Sequence, residues 1–195
     1  AIHYCKAVPV FLDADIETLG LSVNALNDFL EEYCEIRDDG FCWNKSTERI
    51  VRACVPMHTF GLSAEIIEIK KLCEKYKIIL VEDSAESLGT LFQDKHSGTD
   101  GTFGILSFNG NKIISTGGGG LILTNDEEKA AQAKHLTTTA KIDHQWFFGH
   151  DKIGYNYRMP NINAALGLSQ IKKLPMFLEK KRSCAFSYQE WGKIN

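Results

Sequence analysis

The 195 residues are 44% apolar and 24% charged, with a formal charge of −3 at pH 7. That is the balance of an ordinary globular domain, with enough chain to bury a sizeable core. It excludes a strongly basic nucleic-acid binder, a disordered chain and, with no apolar run near the ~18 residues a bilayer requires, a membrane-spanning helix. Six cysteines at positions 5, 34, 42, 54, 73 and 184 contain no C-x-x-C pair. A structural zinc or redox centre is therefore not expected, and no metal site is assigned. The thiols read as buried small hydrophobes in a reducing, cytoplasmic setting. The chain opens at Ala1 without an initiator Met or a secretory leader, and is expected to be a piece of a longer protein.

In chain order, Val8-Pro9-Val10-Phe11-Leu12-Asp13 reads as a first strand. Ser22 is placed to cap a helix with Leu26, Phe29, Leu30 and Tyr33 at helical spacing. The polar stretch 36–48, with Gly40, reads as a loop or hairpin. Ile50 to Val55 reads as a short strand closed by Pro56, and Ser63 as the cap of a second helix through Tyr76. Ile78-Ile79-Leu80-Val81 is a near-continuous apolar run, expected of a strand covered on both faces. Strands follow at Gly104–Phe108 and Gly120–Thr124. A helix capped by Asn125 or Asp126 runs to about Leu136, then an irregular aromatic-rich stretch occupies 137–160. Pro160 suits the first turn of a helix to Leu174, and a last helix runs to about Trp191. Strands separated by helices indicate βαβ units and a mostly parallel α/β sheet. A boundary is expected near Pro175, dividing 1–174 from 175–195.

Ligands of open α/β sheets sit at the carboxyl ends of strands. Asp83 lies there, in Val-Glu-Asp-Ser-Ala-Glu-Ser, as a crevice carboxylate or as a helix cap. The stretch Ser107 to Gly120 holds one lysine, Lys112, and four successive glycines at 117–120. It matches neither the P-loop nor the dinucleotide fingerprint, because the glycine spacing is wrong and the run opens a strand. Glycines cost backbone entropy, which a chain tolerates where another group approaches closely. Lysine and acid at successive strand ends fit pyridoxal phosphate: an amine to form a Schiff base, and an acid to keep the pyridine nitrogen protonated. Ser107 suits a phosphate contact. His58 follows a strand end, as a crevice residue or, more commonly, a satisfied structural histidine. Arg158 is a candidate to orient a carboxylate or phosphate, or a structural ion pair.

The segments Val55–Gly61, Val81–Gly89, Ser107–Gly120 and Gly154–Pro160 resemble the pyridoxal phosphate-dependent sugar aminotransferases of the DegT/DnrJ/StrS group, most of all their legionaminic-acid branch. The resemblance spans about residues 2 to 182. It implies a fold-type I large domain, a three-layer α/β/α arrangement on a mostly parallel mixed sheet, incomplete at both ends, with 175–195 leading toward a small C-terminal domain. It implies Lys112 as the Schiff-base lysine, Asp83 as the partner of the pyridine nitrogen and Ser107 on the cofactor phosphate. Asn156 would reach the phosphate of a cofactor held by a neighbouring subunit, hence a homodimer with shared sites. Glu86 stands where many relatives carry Gln or His near the cofactor ring oxygen, so it must be protonated, turned away or paired. The implied reaction is amination of a UDP-linked 4-keto-6-deoxy amino sugar from glutamate, for surface-polysaccharide or legionaminic-type sugars. The alternatives are an inert structural fragment, or a sugar 3-dehydratase of the same fold, whose members carry His in place of Lys112.

Overall fold

The computed structural model describes residues 1–194. The first helix, α1 (Val23–Tyr33), begins where Ser22 Oγ accepts the Ala25 N–H at 3.3 Å, and it buries Leu26 and Leu30, one turn apart. A hairpin of β1 (Cys34–Ile36) and β2 (Cys42–Asn44) follows, extended antiparallel by β3 (Arg49–Ile50). The single strand expected over 50–55 is two short ones. The chain leaves β3 and re-enters a different sheet as β4 (Ala53–Cys54), parallel to β5 (Ile79–Asp83). Between them α2 (Ile66–Lys75) buries Ile66, Ile69 and Cys73. Its cap position is Glu65, and Ser63 instead donates its hydroxyl to the Ala64 carbonyl.

A two-residue hairpin, β6 (Leu91–Phe92) with β7 (Lys95–His96), precedes β8 (Phe103–Ser107). β8 lies parallel to β5, and β9 (Gly120–Leu123) lies antiparallel to β8. The main sheet therefore runs β4-β5-β8-β9, three parallel strands and one antiparallel. Helices α3 (Glu127–Thr137), α4 (Asn161–Ile171) and α5 (Leu174–Ile194) complete the described chain. Asp126 caps α3 by accepting the Lys129 N–H at 3.0 Å. None of these helices is long and apolar enough to cross a membrane.

The core joins α1, α2, the first hairpin and β5 through Leu26, Leu30, Ile66, Ile69, Cys73, Ile78 and Leu80, with Cys34 and Cys42. Each such aliphatic side chain contributes about 1.5–3 kcal/mol on burial. Burial pushes the Cys34 thiol up to about 12, with Cys42 beside it adding to the shift. Cys5 and Cys184 do not follow the buried-thiol expectation, and both are exposed. Among the described residues beyond Thr116, only Ala140 is fully buried.

Two sequence expectations fail for physical reasons. No strand forms over 8–13: Val8, Val10 and Phe11 are exposed, Phe11 by 89%, with no neighbouring strand beside them and no N–H on Pro9. β5 is not covered on both faces. Leu80 and Glu82 are buried, but Ile79 is 44% exposed, so the run alternates despite its uniform composition.

Candidate functional site

Strand alternation sorts the end of β5 and β8 into two faces. Leu80, Glu82, Gly104 and Leu106 point inward, while Val81, Asp83, Ile105 and Ser107 lie on the half-buried face, with Asp83 opposite Ile105 in register. Asp83 and Ser107 thus share one face at the carboxyl ends of adjacent parallel strands. The end of β5 is pinned on both sides. Asp83 N–H donates to Pro56 O (2.9 Å), its carbonyl accepts the His58 N–H (3.0 Å), and Ser84 N–H donates to Ile105 O (2.9 Å). Asp83 Oδ1 accepts the Ala85 N–H at 3.1 Å, and the carboxylate has no ionic partner among the described residues. It makes the local turn bond of an Asx residue and caps no helix.

Lys112 arrives from the loop after β8. Its Nζ donates to Glu86 Oε1 at 3.2 Å, on the turn that follows Asp83. The loop is gripped from behind by α4. Gln170 accepts the Ser115 N–H (3.0 Å) and donates to the Ser115 carbonyl (2.6 Å), and Asn163 donates to the Thr116 carbonyl. The glycines at 117 and 119 carry φ of +78° and +87°, and a Cβ on Gly120 would sit 2.2 Å from the Leu106 carbonyl. Turn geometry and close strand approach account for three of the four glycines; nothing lies within 4 Å of a Cβ on Gly118.

Glu86 is paired with Lys112. Lys112 and, second, the Phe60 N–H (3.0 Å to Oε2) hold its carboxyl below the usual glutamate range. Ser107 Oγ accepts the Asn109 N–H at a long 3.4 Å and keeps its own proton to donate. Lys112 is thus tied to the turn that leaves Asp83, while Asp83 and Ser107 share one face at adjacent strand ends.

His58 is not at the crevice, correcting the reading of it as a substrate contact. It is fully buried, with Nδ1 accepting the Ala64 N–H (3.1 Å) and Nε2 3.0 Å from Glu82 Oε2. Since Nδ1 must be bare to accept, the proton sits on Nε2 and is donated to Glu82. Asn156 and Arg158 are exposed and line an open groove with Gly118–Leu121, Lys134 and Met159. Neither makes a hydrogen bond to Lys112, Asp83 or Ser107.

Sequence reasoning missed Glu82. It is fully buried and accepts from His58 and from the N–H groups of Gly98 (2.8 Å), Asp100 (2.8 Å) and Gly101. Burial pushes this carboxyl up, but the bonds from His58, Gly101 and Gly98 outweigh it and leave it below its usual range. The signal was available: Glu82 occupies an inward position of β5, where an acid persists only if fully bonded. Gln170 and Asn163 carried no comparable signal, because helix polar residues ordinarily face water.

A family model of the DegT/DnrJ/EryC1/StrS aminotransferases matches residues 1–191. The chain belongs to that family. It is 40% identical over 188 residues to the putative pyridoxal phosphate-dependent aminotransferase EpsN of Bacillus subtilis (strain 168), covering 96% of this chain and 45% of that one. It is 34% identical to GDP-perosamine synthase of Escherichia coli O157:H7, covering 97% and 47%. Among solved structures, Helicobacter pylori PseC, an aminotransferase involved in the biosynthesis of pseudoaminic acid, superposes with a TM-score of 0.85 at 28% identity, covering 100% and 48%. The chain spans about half the length of the curated relatives it matches. The architecture is accordingly that of a fold-type I aminotransferase large domain, with a mixed, mostly parallel sheet. The family's nucleotide-sugar aminotransferases set the frame for the site. Its donor types fit pyridoxal phosphate: a sheltered primary amine bonded to the turn after Asp83, a carboxylate with no ionic partner among the described residues, and a serine hydroxyl at the adjacent strand end.

Proposed function

We propose that this chain forms the cofactor-binding centre of a pyridoxal phosphate-dependent nucleotide-sugar aminotransferase. The observation that supports this reading is Asp83 and Ser107 on one face at the carboxyl ends of β5 and β8, with Lys112 bonded to Glu86 on the turn that leaves β5. When bound, the cofactor would supply an aldehyde that carries the amino group and a ring that accepts electron density. Lys112 is the residue that would hold the aldehyde carbon, and its Nζ, when free, is the base and then the acid that moves the substrate proton. Asp83 would face the ring nitrogen and keep it protonated. It has no competing cation, and Glu82 behind it cannot turn outward. Ser107 Oγ would donate to the phosphate. Asn156 would serve the phosphate of a cofactor in a neighbouring subunit of a homodimer, which agrees with its exposure and its distance in sequence and bonding from Lys112. Arg158, in the same groove, would orient an anionic group of the substrate.

The finer reading is amination of a UDP-linked 4-keto-6-deoxy amino sugar with glutamate as donor, in the cytoplasm, for surface-polysaccharide or legionaminic-type sugars. The resemblance of the four motif segments supports it. Residues 1–174 are read as the central part of the large domain, and 175–195 as the helix leading to a further domain, with Asn195 outside the described residues. A lysine at position 112, where 3-dehydratases carry His, disfavours the lyase alternative.

The test is borohydride reduction of the intact protein with pyridoxal phosphate, followed by peptide mapping. A reduced adduct on Lys112, lost in Lys112→Ala, is expected; an adduct elsewhere, or none, overturns the reading. UDP- and GDP-linked 4-keto sugars offered with glutamate then separate the sugar nucleotides by the amino sugar formed.

A further inference from the structure

The pairing of Glu86 with Lys112 has more structure around it than a chance surface contact. The Lys112 side chain is only 15% exposed and that of Glu86 33%. The two carboxylate oxygens have separate partners: Oε1 takes the ammonium, and Oε2 takes the Phe60 N–H at 3.0 Å. That amide is aimed by an unusual turn. Phe60 adopts φ 54° and ψ 18°, a left-handed conformation rare for a bulky side chain, and Gly61 follows at φ +85°. The turn is tied down by Thr90, whose hydroxyl donates to the Gly61 carbonyl at 2.8 Å, and by Thr59, whose hydroxyl donates to Leu19 O at 2.9 Å. A Cβ on Gly61 would come within 3.0 Å of the Glu86 carbonyl, so the turn and the glutamate backbone are in close contact. Strained backbone at a ligand site persists only when its surroundings fix it, and here it fixes one carboxylate.

We propose that Glu86 is the resident counter-ion of Lys112, a positioning residue that holds the amine as an ammonium against the Phe60 turn until an incoming ligand displaces it. This rests on the reading of Lys112 as the cofactor lysine. An ammonium has no lone pair and does not attack a carbonyl, so a lysine held this way is kept from stray aldehydes and metabolite ketones. Asp83, three residues before Glu86, is the nearest acid in sequence, and neither Lys112 nor Glu86 has a second ionic partner among the described residues. Displacement frees a carboxylate that stays anchored by Phe60. The proton that Lys112 gives up leaves to solvent, because a carboxyl held below the usual glutamate range stays ionised and does not take it.

The experiment is residue-resolved reductive methylation of the cofactor-free intact protein with formaldehyde and cyanoborohydride, read by mass spectrometry. At pH 7 and low salt, Lys112 in Glu86→Gln should be labelled about three- to tenfold faster than in wild type, the span that a partly sheltered charge pair supports. Glu86→Asp should restore part of the protection. Raising the salt should speed labelling of Lys112 in wild type and leave Glu86→Gln unchanged, because screening acts on the pair alone. The rates at exposed Lys152 and Lys172 report any general loosening and should stay constant. Equal Lys112 rates in wild type and Glu86→Gln would overturn the proposal, as would a rise shared by all three lysines. The cofactor reading is judged separately by pyridoxal phosphate adduct mapping: an adduct on Lys112 with equal formaldehyde rates sinks the counter-ion alone, whereas absence of the adduct from both proteins sinks the cofactor reading.

Discussion

Glu82 offers the sharpest energetic test. Glu82→Ala removes an acceptor fully inside the protein and strands four donors: His58 Nε2–H and the N–H groups of Gly98, Asp100 and Gly101. Each unsatisfied buried donor costs about 1–3 kcal/mol, and water entering the vacated space relieves part of the sum. After that relief, the four stranded donors set the expected loss at about 3–5 kcal/mol. Glu82→Gln should cost about half as much, since its carbonyl still serves one pair of donors while its NH2 faces the other. The assay is urea denaturation of the intact protein at pH 7, read as a lower midpoint at constant slope. A loss below about 1 kcal/mol for Glu82→Ala would refute the reasoning, because such a value belongs to an exposed contact. The pH dependence has a fixed sign. With its folded-state carboxyl below the usual range, Glu82 contributes stability at pH above the ordinary glutamate value and loses it as pH falls through the folded value. The gap between wild type and Glu82→Gln should therefore narrow toward pH 4 and hold steady between pH 6 and 8.

Gly104→Ala should block folding or strongly destabilise β8, since its Cβ would lie 1.9 Å from the Gly98 carbonyl, whereas Gly110→Ala, with nothing within 4 Å, should leave the melting temperature within a degree or two. Leu30→Ala, at a fully buried core position, should cost about 2–5 kcal/mol by chemical denaturation, with no change in the Lys112 adduct once folded. Gln170→Ala removes both bonds to Ser115. Amide exchange at Ser115 should accelerate at least tenfold, and unchanged exchange would show that α4 does not steady the lysine loop.

Much of this architecture was legible in the residues because several local signals agreed. Ser22 and Asp126 announced two helix starts, and the Leu26–Leu30 spacing announced the buried stripe of α1. Asp83, Ser107 and Lys112 were placed at strand exits by their neighbours alone. The misses have a common origin in tertiary context. The 8–13 segment has strand composition, but a strand also needs a neighbour, which no local pattern reports. The β6–β7 hairpin turns through Gln93 and Asp94 at φ 48° and 63°, a left-handed pair normally marked by Asn-Gly or Gly. Ile50 to Val55 looked like one strand, yet the chain changes sheets within it. His58 sits beside a strand exit, and only the inward acid at position 82 explains why its ring turns away from the crevice.

The acids at 82 and 83 show what a pleat can do with two adjacent residues of nearly the same chemistry. One is a rivet, fastening the exit of β4 and the 98–101 loop to the sheet; the other faces outward with its charge uncommitted. A mutational screen scored only by product formed would mark both positions as intolerant and invite the inference of a catalytic pair. Scoring the amount of folded protein alongside turnover would separate them: damage at 82 should lower yield first, and damage at 83, on the proposed reading, should leave yield intact and remove turnover.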